Sequence, residues 1–208
     1  MDNNRQQHWE QVYRSKAHNS VSWFQPQAVR SLQMMAAAGI SHDQPVIDVG
    51  GGASVLVDDL LGQGFADVTV LDLSVSALAA ARNRLGEAGQ GVHWLEGDIT
   101  HIDLPAAKYA LWHDRAVFHF LTEPAQRAAY KQNLLHALRP DGQVILSTFA
   151  EDGPEKCSGL PVQRYSVAAL HAEFSPVFDL LSSQHELHTT PGGSTQSFVY
   201  VHLKRRAG

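Results

Sequence analysis

A buried strand followed by three consecutive glycines constrains this sequence more than any other feature. The strand at 46–49 includes Asp48, and its apolar residues suit a strand that is covered on both faces. Gly50, Gly51 and Gly52 then allow a sharp turn and a close approach of the backbone to a ligand, where a Cβ would collide. An ordinary turn between a strand and a helix needs only one glycine. Three in succession therefore favour a ligand-binding loop.

A helix is predicted directly after the glycine loop. Ser54 is placed to cap its first turn, and apolar residues recur at helical spacing from Val55 to Leu61. The unit therefore reads as strand, glycine loop and helix. The dinucleotide-binding fingerprint has a third glycine where this sequence has Val55, which weakens an interpretation as a pyrophosphate site.

Acids follow the next two predicted strands. Asp72 ends the strand at 68–71 and lies 22 residues after Gly50, where a carboxylate can accept both hydroxyl groups of a ribose. Asp98 follows the strand at 92–95, where an acid can reach an adenine amino group. Either acid alone is also compatible with a surface carboxylate or a helix cap. Because parallel strands end at one edge of a sheet, the loop and both acids are predicted to form one site.

In this order the motifs resemble those of the class I methyltransferases that use S-adenosylmethionine. The matching segments are DVGGGAS (48–54), LDLS (71–74), EGDI (96–99) and LRPDGQVIL (138–146), the last similar to the family's L-x-P-G-G turn with Asp141 in place of a glycine. The resemblance covers about residues 40–205 and implies S-adenosyl-L-methionine as the cofactor, without indicating the methyl acceptor. The cofactor-binding residues expected on this basis are Tyr13, Trp23, Asp48, Gly50, Gly51, Gly52, Ser54, Asp72, Leu73, Asp98, Ile99 and His113.

The rest of the pattern alternates strands and helices. Strands are predicted at 46–49, 68–71, 92–95, 109–112, 143–149, 177–186 and 197–204. Helices are predicted at 76–85 and from Thr122 to a stop at Pro140. A short turn at 191–193 indicates an antiparallel pair, whereas helix-separated strands indicate parallel ones. We expect an α/β fold: a doubly wound, mostly parallel seven-stranded sheet with one antiparallel strand near the C-terminus and helices on both faces.

Length and composition agree with one domain. The predicted methyltransferase domain spans 1–208, with a helical arm at 1–40 over the cofactor site, a Rossmann-like core at 41–208 and a candidate substrate lid at 150–165. No membrane span or signal peptide is recognisable, so a cytoplasmic location without a membrane partner is expected. The formal net charge of −5 disfavours nucleic acid as a partner. The single cysteine, Cys157, excludes an intrachain disulfide and a cysteine-based zinc site, and no metal is expected. The oligomeric state stays open.

An aromatic arm precedes the first strand. Trp9 and Tyr13 fall on one helical face, and Trp23 follows. Aromatic rings can cover a sulfonium through cation–π attraction and keep water from the reaction. Docking of the rings on the outer face of the sheet is the alternative, and the two are compatible. We expect Tyr13 or Trp23 to contact the cofactor.

Candidate catalytic residues are expected on the segments that cover the carboxyl edge of the sheet. The segment at 113–120 is polar, and a histidine there can act as a general base near neutral pH, oriented by a neighbouring acid or arginine. The lid and the turn at 186–198 contribute further candidates. The full set is His113, Arg115, His119, Arg164 and His188. For His113 a packing role or a cofactor contact is favoured over catalysis, and for Arg115 and His119 both interpretations stay open.

Three functions remain open. A small-molecule methyltransferase is favoured by the compact chain, and the cationic and imidazole candidates suit an acceptor that reacts as an anion, such as a thiolate or a carboxylate-bearing molecule. A protein lysine methyltransferase, with a protein substrate as partner, is the alternative. Such enzymes tend to have an acid followed closely by an aromatic, whereas here Asp114 is followed by Phe118 at a longer spacing. An NAD-dependent oxidoreductase or nucleotide-binding module is disfavoured by the missing third glycine and by the absence of a hydride-transfer constellation.

Overall fold

The computed structural model describes residues 3–206, so positions 1, 2, 207 and 208 of the predicted domain lie outside the described residues. The α-helices are α1 (Asn3–Ser15), α2 (Val29–Ala38), α3 (Leu56–Gly62), α4 (Val75–Leu85), α5 (Pro124–Ala137) and α6 (Val167–Phe174). The strands are β1 (Val46–Val49), β2 (Val68–Asp72), β3 (His93–Glu96), β4 (Tyr109–Arg115), β5 (Leu138–Phe149), β6 (Lys156–Cys157), β7 (Leu160–Pro161), β8 (Phe178–Thr189) and β9 (Thr195–Arg205). None of these helices is both long enough and apolar enough to cross a bilayer.

Seven of the strands form one sheet in the order β3-β2-β1-β4-β5-β9-β8. Neighbouring strands from β3 to β5 are parallel, and β9 runs antiparallel to both β5 and β8. The predicted sheet with a single reversed strand is therefore confirmed. The strand order reverses between β1 and β4, and in open α/β sheets the crevice at such a reversal is where ligands bind.

Apolar side chains cover both faces of the sheet. Every residue of β1 and β2 is buried, as expected for central parallel strands that lie between helices. Successive residues alternate between two apolar clusters: Ile47 and Trp112 belong to one, and Val46 and Leu111 to the other. With both faces covered, the carboxyl edge of the central strands is the accessible place for a ligand.

Element ends differ from the prediction at several places. The fifth helix ends at Ala137 and not at Pro140, because Leu138 already pairs with Tyr109 and begins β5, and residues 139–142 then bulge out of register. Strand β4 continues through Arg115, so the polar segment at 113–115 lies inside the sheet. Helix α6 and the two-stranded ribbon β6–β7 were not predicted.

Candidate active site

Two adjoining cavities lie at the carboxyl edge of β1, β2 and β4. The larger has a volume of about 830 Å³, including space open to solvent, and the smaller about 600 Å³. The predicted cofactor residues that line the larger cavity are Tyr13, Trp23, Gly50, Asp72, Leu73, Asp98 and Ile99. Those that line the smaller one are Tyr13, Trp23, Asp48, Gly50, Gly51, Ser54 and His113. Gly52 lines neither cavity.

Each glycine of the loop leaves room for a different neighbouring side chain, which a Cβ would overlap. Gly50 has φ +71°, and a Cβ there would overlap the side chain of Val117. A Cβ at Gly51 would overlap a carboxylate oxygen of Asp48, and one at Gly52 would overlap a carboxylate oxygen of Asp72. The sequence predicted that the glycines let the backbone approach a ligand. The structure adds that two of them make room for the acids of the site.

Hydrogen bonds from two sides fix the glycine loop. The amide groups of Gly50 and Gly51 donate to the carbonyl oxygen of Leu71 at 2.7 and 3.2 Å. From α4, the Arg84 guanidinium donates to the carbonyl oxygen of Ser54 at 2.7 Å and forms an ion pair with Asp58 at 2.6 Å. The predicted cap is displaced by one residue: α3 begins after Val55, although the Ser54 hydroxyl still accepts from the Leu56 amide at 3.1 Å.

The two acids at the strand ends are buried and held in place. Asp72 accepts a 2.8 Å hydrogen bond from the Ser74 amide. Burial raises the pKa of Asp72 to about 7, and the negative charges of Asp48 and Glu10 act in the same direction, against the Ser74 hydrogen bond. Asp98 accepts from the amide and the hydroxyl group of Thr100 at 2.9 and 2.7 Å. Both carboxylates are therefore preset as acceptors for hydroxyl or amino groups.

The N-terminal arm supplies an aromatic wall. The ring of Trp9 lies edge-on to those of Trp23 and Phe120, with centroid separations of 5.7 and 5.1 Å. Tyr13 lies 6.1 Å from Trp23, and all four rings line the larger cavity. The rings therefore pack on one another and line the cavity, and the contact of Tyr13 or Trp23 with the cofactor stays a prediction.

One acid of the arm anchors it beside Asp72. Glu10 accepts hydrogen bonds from the Ser74 hydroxyl at 3.1 Å, from the Ser76 amide at 3.1 Å and from the Ser76 hydroxyl at 2.6 Å. Because the Ser74 amide also donates to Asp72, Ser74 links the arm to that acid. Glu10 was not a predicted site residue, and nothing in the local sequence marks it.

Arg115 lines both cavities and lies at their junction. Its Nε donates to the Tyr200 hydroxyl at 2.9 Å, its Nη1 donates to the Trp23 carbonyl oxygen at 3.1 Å, and its guanidinium stacks 4.5 Å from the centre of the Phe198 ring. Its Nη2 has no hydrogen-bond partner among the described residues and lies 3.7 Å from Glu186. A buried donor is therefore available for a ligand at this point.

Two of the predicted histidines of the acceptor region, His119 and His188, do not line either cavity. His119 is fully buried and its Nδ1 accepts from the Phe149 amide at 3.3 Å; burial lowers its pKa to about 3, helped by the positive charge of Arg115. His188 bonds the Ser22 carbonyl oxygen at 2.8 Å, and burial, again with Arg115, lowers its pKa. Both are neutral at neutral pH, so the expected cation-rich pocket is wrong: of the predicted acceptor residues, Arg115 alone supplies a cavity-lining cation in the described chain.

The predicted lid contributes a thiol and not an arginine to the cavity. Arg164 donates to the Gly153 carbonyl oxygen at 3.1 Å and pairs with Glu155, so it links parts of the lid to each other. The β6–β7 ribbon places Cys157 on the wall of the larger cavity. Burial raises the pKa of this thiol to about 11, so it is protonated at neutral pH and unsuited to act as a nucleophile. A catalytic role for Arg164 stays a prediction.

The other two polar residues of β4 have different partners. His113 lines the smaller cavity and bonds Asp48 at 2.7 Å. Asp114 points to the opposite face, where it accepts from the Tyr130 hydroxyl at 2.7 Å and from the Val117 amide at 2.8 Å. Asp114 therefore holds the turn after β4, and it does not orient His113 as the sequence allowed.

The residues present fit S-adenosylmethionine. Asp72 and Asp98 would serve as acceptors for the ribose and the adenine, and the aromatic wall suits the sulfonium. One oxygen of the buried Asp48 carboxylate has no hydrogen-bond partner among the described residues, which leaves an acceptor for the ammonium of the amino-acid tail. All the predicted cofactor residues except Gly52 line the two cavities, and their contact with the cofactor stays a prediction. Glu10, Arg84, Cys157 and the aromatic Phe198 were not among the predicted site residues.

Comparisons with known proteins agree with this geometry. Residues 46–142 match the family model described as a methyltransferase domain. The chain is 24% identical over 145 residues to EEF1A lysine methyltransferase 2 of Danio rerio, covering 66% of this chain and 62% of that protein. It is 27% identical over 116 residues to the ubiquinone biosynthesis O-methyltransferase of Serratia proteamaculans (strain 568), covering 55% of this chain and 46% of that protein.

The chain thus spans about half to three fifths of the length of these curated relatives. Its fold is similar to that of Burkholderia thailandensis 1,6-didemethyltoxoflavin-N1-methyltransferase, solved with bound 1,6-didemethyltoxoflavin and S-adenosylhomocysteine. The TM-score is 0.69 at 20% identity, over 98% of this chain and 84% of the other.

Proposed function

We propose that this chain, which carries a class I S-adenosylmethionine-dependent methyltransferase domain, transfers the methyl group to a small-molecule acceptor that reacts as an anion. The observation that carries the proposal is the aromatic chamber beside the cofactor residues, with the free Nη2 donor of Arg115 in its wall.

The chamber favours a flat or apolar acceptor body. Its walls include the rings of Trp9, Trp23, Phe120, Phe149 and Phe198. Such rings bind apolar or aromatic surface and exclude water from the reacting atoms. With the arm on one side and the β6–β7 ribbon on another, the chamber suits a small molecule better than an extended peptide.

Among the described residues that line the larger cavity, no side chain is left to remove a proton from the acceptor at neutral pH, because the acids Asp72 and Asp98 are assigned to the cofactor. Burial raises the pKa of Tyr13 and that of Cys157, so both keep their protons. Asp72 is assigned to the ribose. The acceptor must therefore arrive with a lone pair of its own, as a thiolate or another anion does.

The bound cofactor supplies a methyl group on a positively charged sulfur, and transfer is an in-line displacement without a covalent enzyme intermediate. The residues of the chain bind, orient and dehydrate the reactants. Arg115 donates through Nη2 to the anionic group of the acceptor. Because Glu186 lies 3.7 Å from this nitrogen, the guanidinium acts mainly as a directional donor and only weakly as a net positive charge.

A protein lysine substrate is the second candidate, since one curated relative is named for that activity. A lysine ammonium needs free carboxylates or an open aromatic cage to receive it. Glu186, the acid closest to Arg115, already accepts from the Tyr200 hydroxyl at 3.0 Å and from the Gln25 amide group at 3.3 Å. This arrangement favours the anionic small molecule.

Cofactor labelled in its methyl group tests the proposal directly. The protein is incubated with a metabolite fraction and, separately, with a protein fraction of cell extract, and the labelled product is identified. We expect label in a small molecule. Replacement of Arg115 by alanine should lower kcat/KM for that acceptor at least about tenfold, while cofactor affinity changes little.

Arg206→Ala is the matched control, because Arg206 also pairs with an acid, Asp179, but lies on the surface. It should react like the wild type. Methyl-lysine in the protein fraction, with no labelled small molecule, would overturn the proposal in favour of the second candidate.

A further inference from the structure

A buried line of three polar side chains runs behind the glycine loop. Ser31 on α2 lies 2.8 Å from Nε2 of His113 on β4, and Nδ1 of His113 lies 2.7 Å from Oδ1 of Asp48 on β1. Each of the three residues is at most 3% exposed. They are 65 and 82 residues apart in the chain, so the tertiary fold alone brings them together.

The acceptor character of the carboxylate fixes the direction of the hydrogen bond between His113 and Asp48. An ionised Asp48 only accepts, so Nδ1 of His113 carries a proton and donates it to Oδ1. In the tautomer that carries its proton at Nδ1, Nε2 has a lone pair and accepts from the hydroxyl group of Ser31. Ser31 thus selects the tautomer of His113 that donates to Asp48.

The far end of this line faces the smaller cavity. Oδ1 of Asp48 is bonded to His113, whereas Oδ2 is buried, lies against Gly51 and has no hydrogen-bond partner within residues 3–206. The carboxylate therefore cannot rotate freely, and its open oxygen is presented on the side of the glycine loop. An unpaired buried carboxylate oxygen is costly and needs a donor from a ligand.

We infer that Ser31 and His113 are positioning residues, which hold Asp48 so that Oδ2 accepts from the ammonium of the cofactor's amino-acid tail. The inference rests on the proposed use of S-adenosylmethionine but not on the acceptor. Neither Ser31 nor His113 need touch the cofactor. A role in packing alone would not require a hydroxyl group at position 31, because alanine fills nearly the same volume.

Two ligands separate positioning from packing. S-adenosylhomocysteine carries the ammonium, whereas 5′-methylthioadenosine has the same adenine and ribose but no amino-acid tail. By calorimetry, Ser31→Ala should weaken S-adenosylhomocysteine about fivefold to tenfold, the scale of one hydrogen bond, and change 5′-methylthioadenosine less than about twofold. Ser31→Thr, which keeps the hydroxyl group, should restore affinity.

Ser147 provides the matched control, since it is a fully buried serine whose hydroxyl has no partner among the described residues. Ser147→Ala should bind both ligands like the wild type. In a double-mutant cycle, Ser31→Ala should have no further effect once Asp48 is replaced by asparagine. Additive losses would mean that Ser31 contacts the ligand directly, and would overturn the inference.

Equal weakening of both ligands by Ser31→Ala, or no weakening of either, would also overturn it. If the wild-type protein binds neither ligand, the proposed cofactor fails as well, so the two failures are distinguishable. Nitrogen NMR on the wild-type protein provides a test that does not depend on a variant folding. We expect His113 to be protonated at Nδ1 and not at Nε2, and a proton at Nε2 would overturn the inference.

Discussion

Replacing Asp72 with asparagine tests the ribose site, because this carboxylate combines burial with a shifted pKa. The carboxyl group is 8% exposed, and burial raises its pKa from 3.8 to about 7. Ribose hydroxyl groups donate to a carboxylate and much less well to the protonated acid. Cofactor affinity should therefore depend on pH near neutrality.

The expected magnitude follows from the pKa. With a pKa of about 7, roughly nine tenths of the free protein is ionised at pH 8 and about one tenth at pH 6, so Kd should rise about tenfold over this range. Asp72→Asn should weaken binding by roughly 1.5–3 kcal/mol, which is about 10- to 150-fold, and should abolish the pH dependence.

Calorimetry with 5′-methylthioadenosine is the suitable assay, because this ligand has the ribose but no ammonium or carboxylate that titrates. A wild-type Kd that is equal at pH 6 and pH 8 would refute the reasoning. So would an Asp72→Asn variant that keeps the wild-type slope, since another group would then be responsible.

Asp72→Asn should weaken cofactor binding but raise the stability of the free protein. Because the folded protein holds the Asp72 proton more tightly than the unfolded chain does, stability is greatest below the unfolded pKa and is lost as the pH rises through about 7. The shift corresponds to a penalty of about 4 kcal/mol at pH 8. We expect Asp72→Asn to have the higher free energy of unfolding at pH 8, by an amount that shrinks by more than about 2 kcal/mol at pH 5.

Three further perturbations have defined outcomes. Gly50→Val should leave a folded domain by circular dichroism but abolish cofactor binding, because its side chain would overlap Val117; Gly39→Ala, also at positive φ but with open space around it, should still bind. Glu10→Gln should release S-adenosylhomocysteine at least about fivefold faster in stopped-flow tryptophan fluorescence, since the arm loses charge-assisted hydrogen bonds; an unchanged rate would show that Glu10 does not anchor the arm. In the folded protein the pKa of His119 is about 3, below its ordinary 6.5, so its contribution to stability is present above pH 6.5 and is lost as the pH falls toward 3. The free energy of unfolding of the wild type, relative to that of His119→Asn, should drop by about 2 kcal/mol from pH 7 to pH 5. A difference that stays constant over this range would contradict the burial argument.

The cofactor residues were predictable because their positions follow from local sequence. A strand, a glycine loop and an acid at the next strand end are each read within a few residues, and parallel strands then bring their carboxyl ends together. Asp48, Asp72 and Asp98 needed no knowledge of distant contacts. The glycine loop was predicted from its turn and from the missing Cβ atoms. In the structure, the absence of a Cβ at Gly51 and Gly52 leaves room for Asp48 and Asp72.

The acceptor side was less predictable because it depends on where side chains point. Strand alternation places His113 and Arg115 on one face of β4 and Asp114 on the other, but the sequence pattern ended this strand at Trp112. The prediction of a charged imidazole at His119 was wrong for a related reason. His119 follows a buried strand and is itself fully buried, and burial favours its neutral form.

Contacts between distant segments could not be predicted from one sequence. Glu10 bonds Ser76 across 66 positions, and Arg84 reaches the Ser54 carbonyl oxygen across 30. Neither residue type nor local spacing distinguishes these from solvated surface charges. They become visible only when the helices that carry them are placed beside the glycine loop.

The arrangement of charge also explains how such a site can discriminate substrate from product. Asp48, Asp72 and Glu10 lie close enough that the negative charges of the other two help to raise the pKa of Asp72. This concentration of carboxylates costs stability in the free protein, and a ligand with positive charge relieves it. S-adenosylmethionine carries a sulfonium in addition to its ammonium, whereas the product after transfer has lost the sulfonium charge. If these acids bind the cofactor as proposed, we expect them to hold the product less strongly, which would favour its release after each transfer.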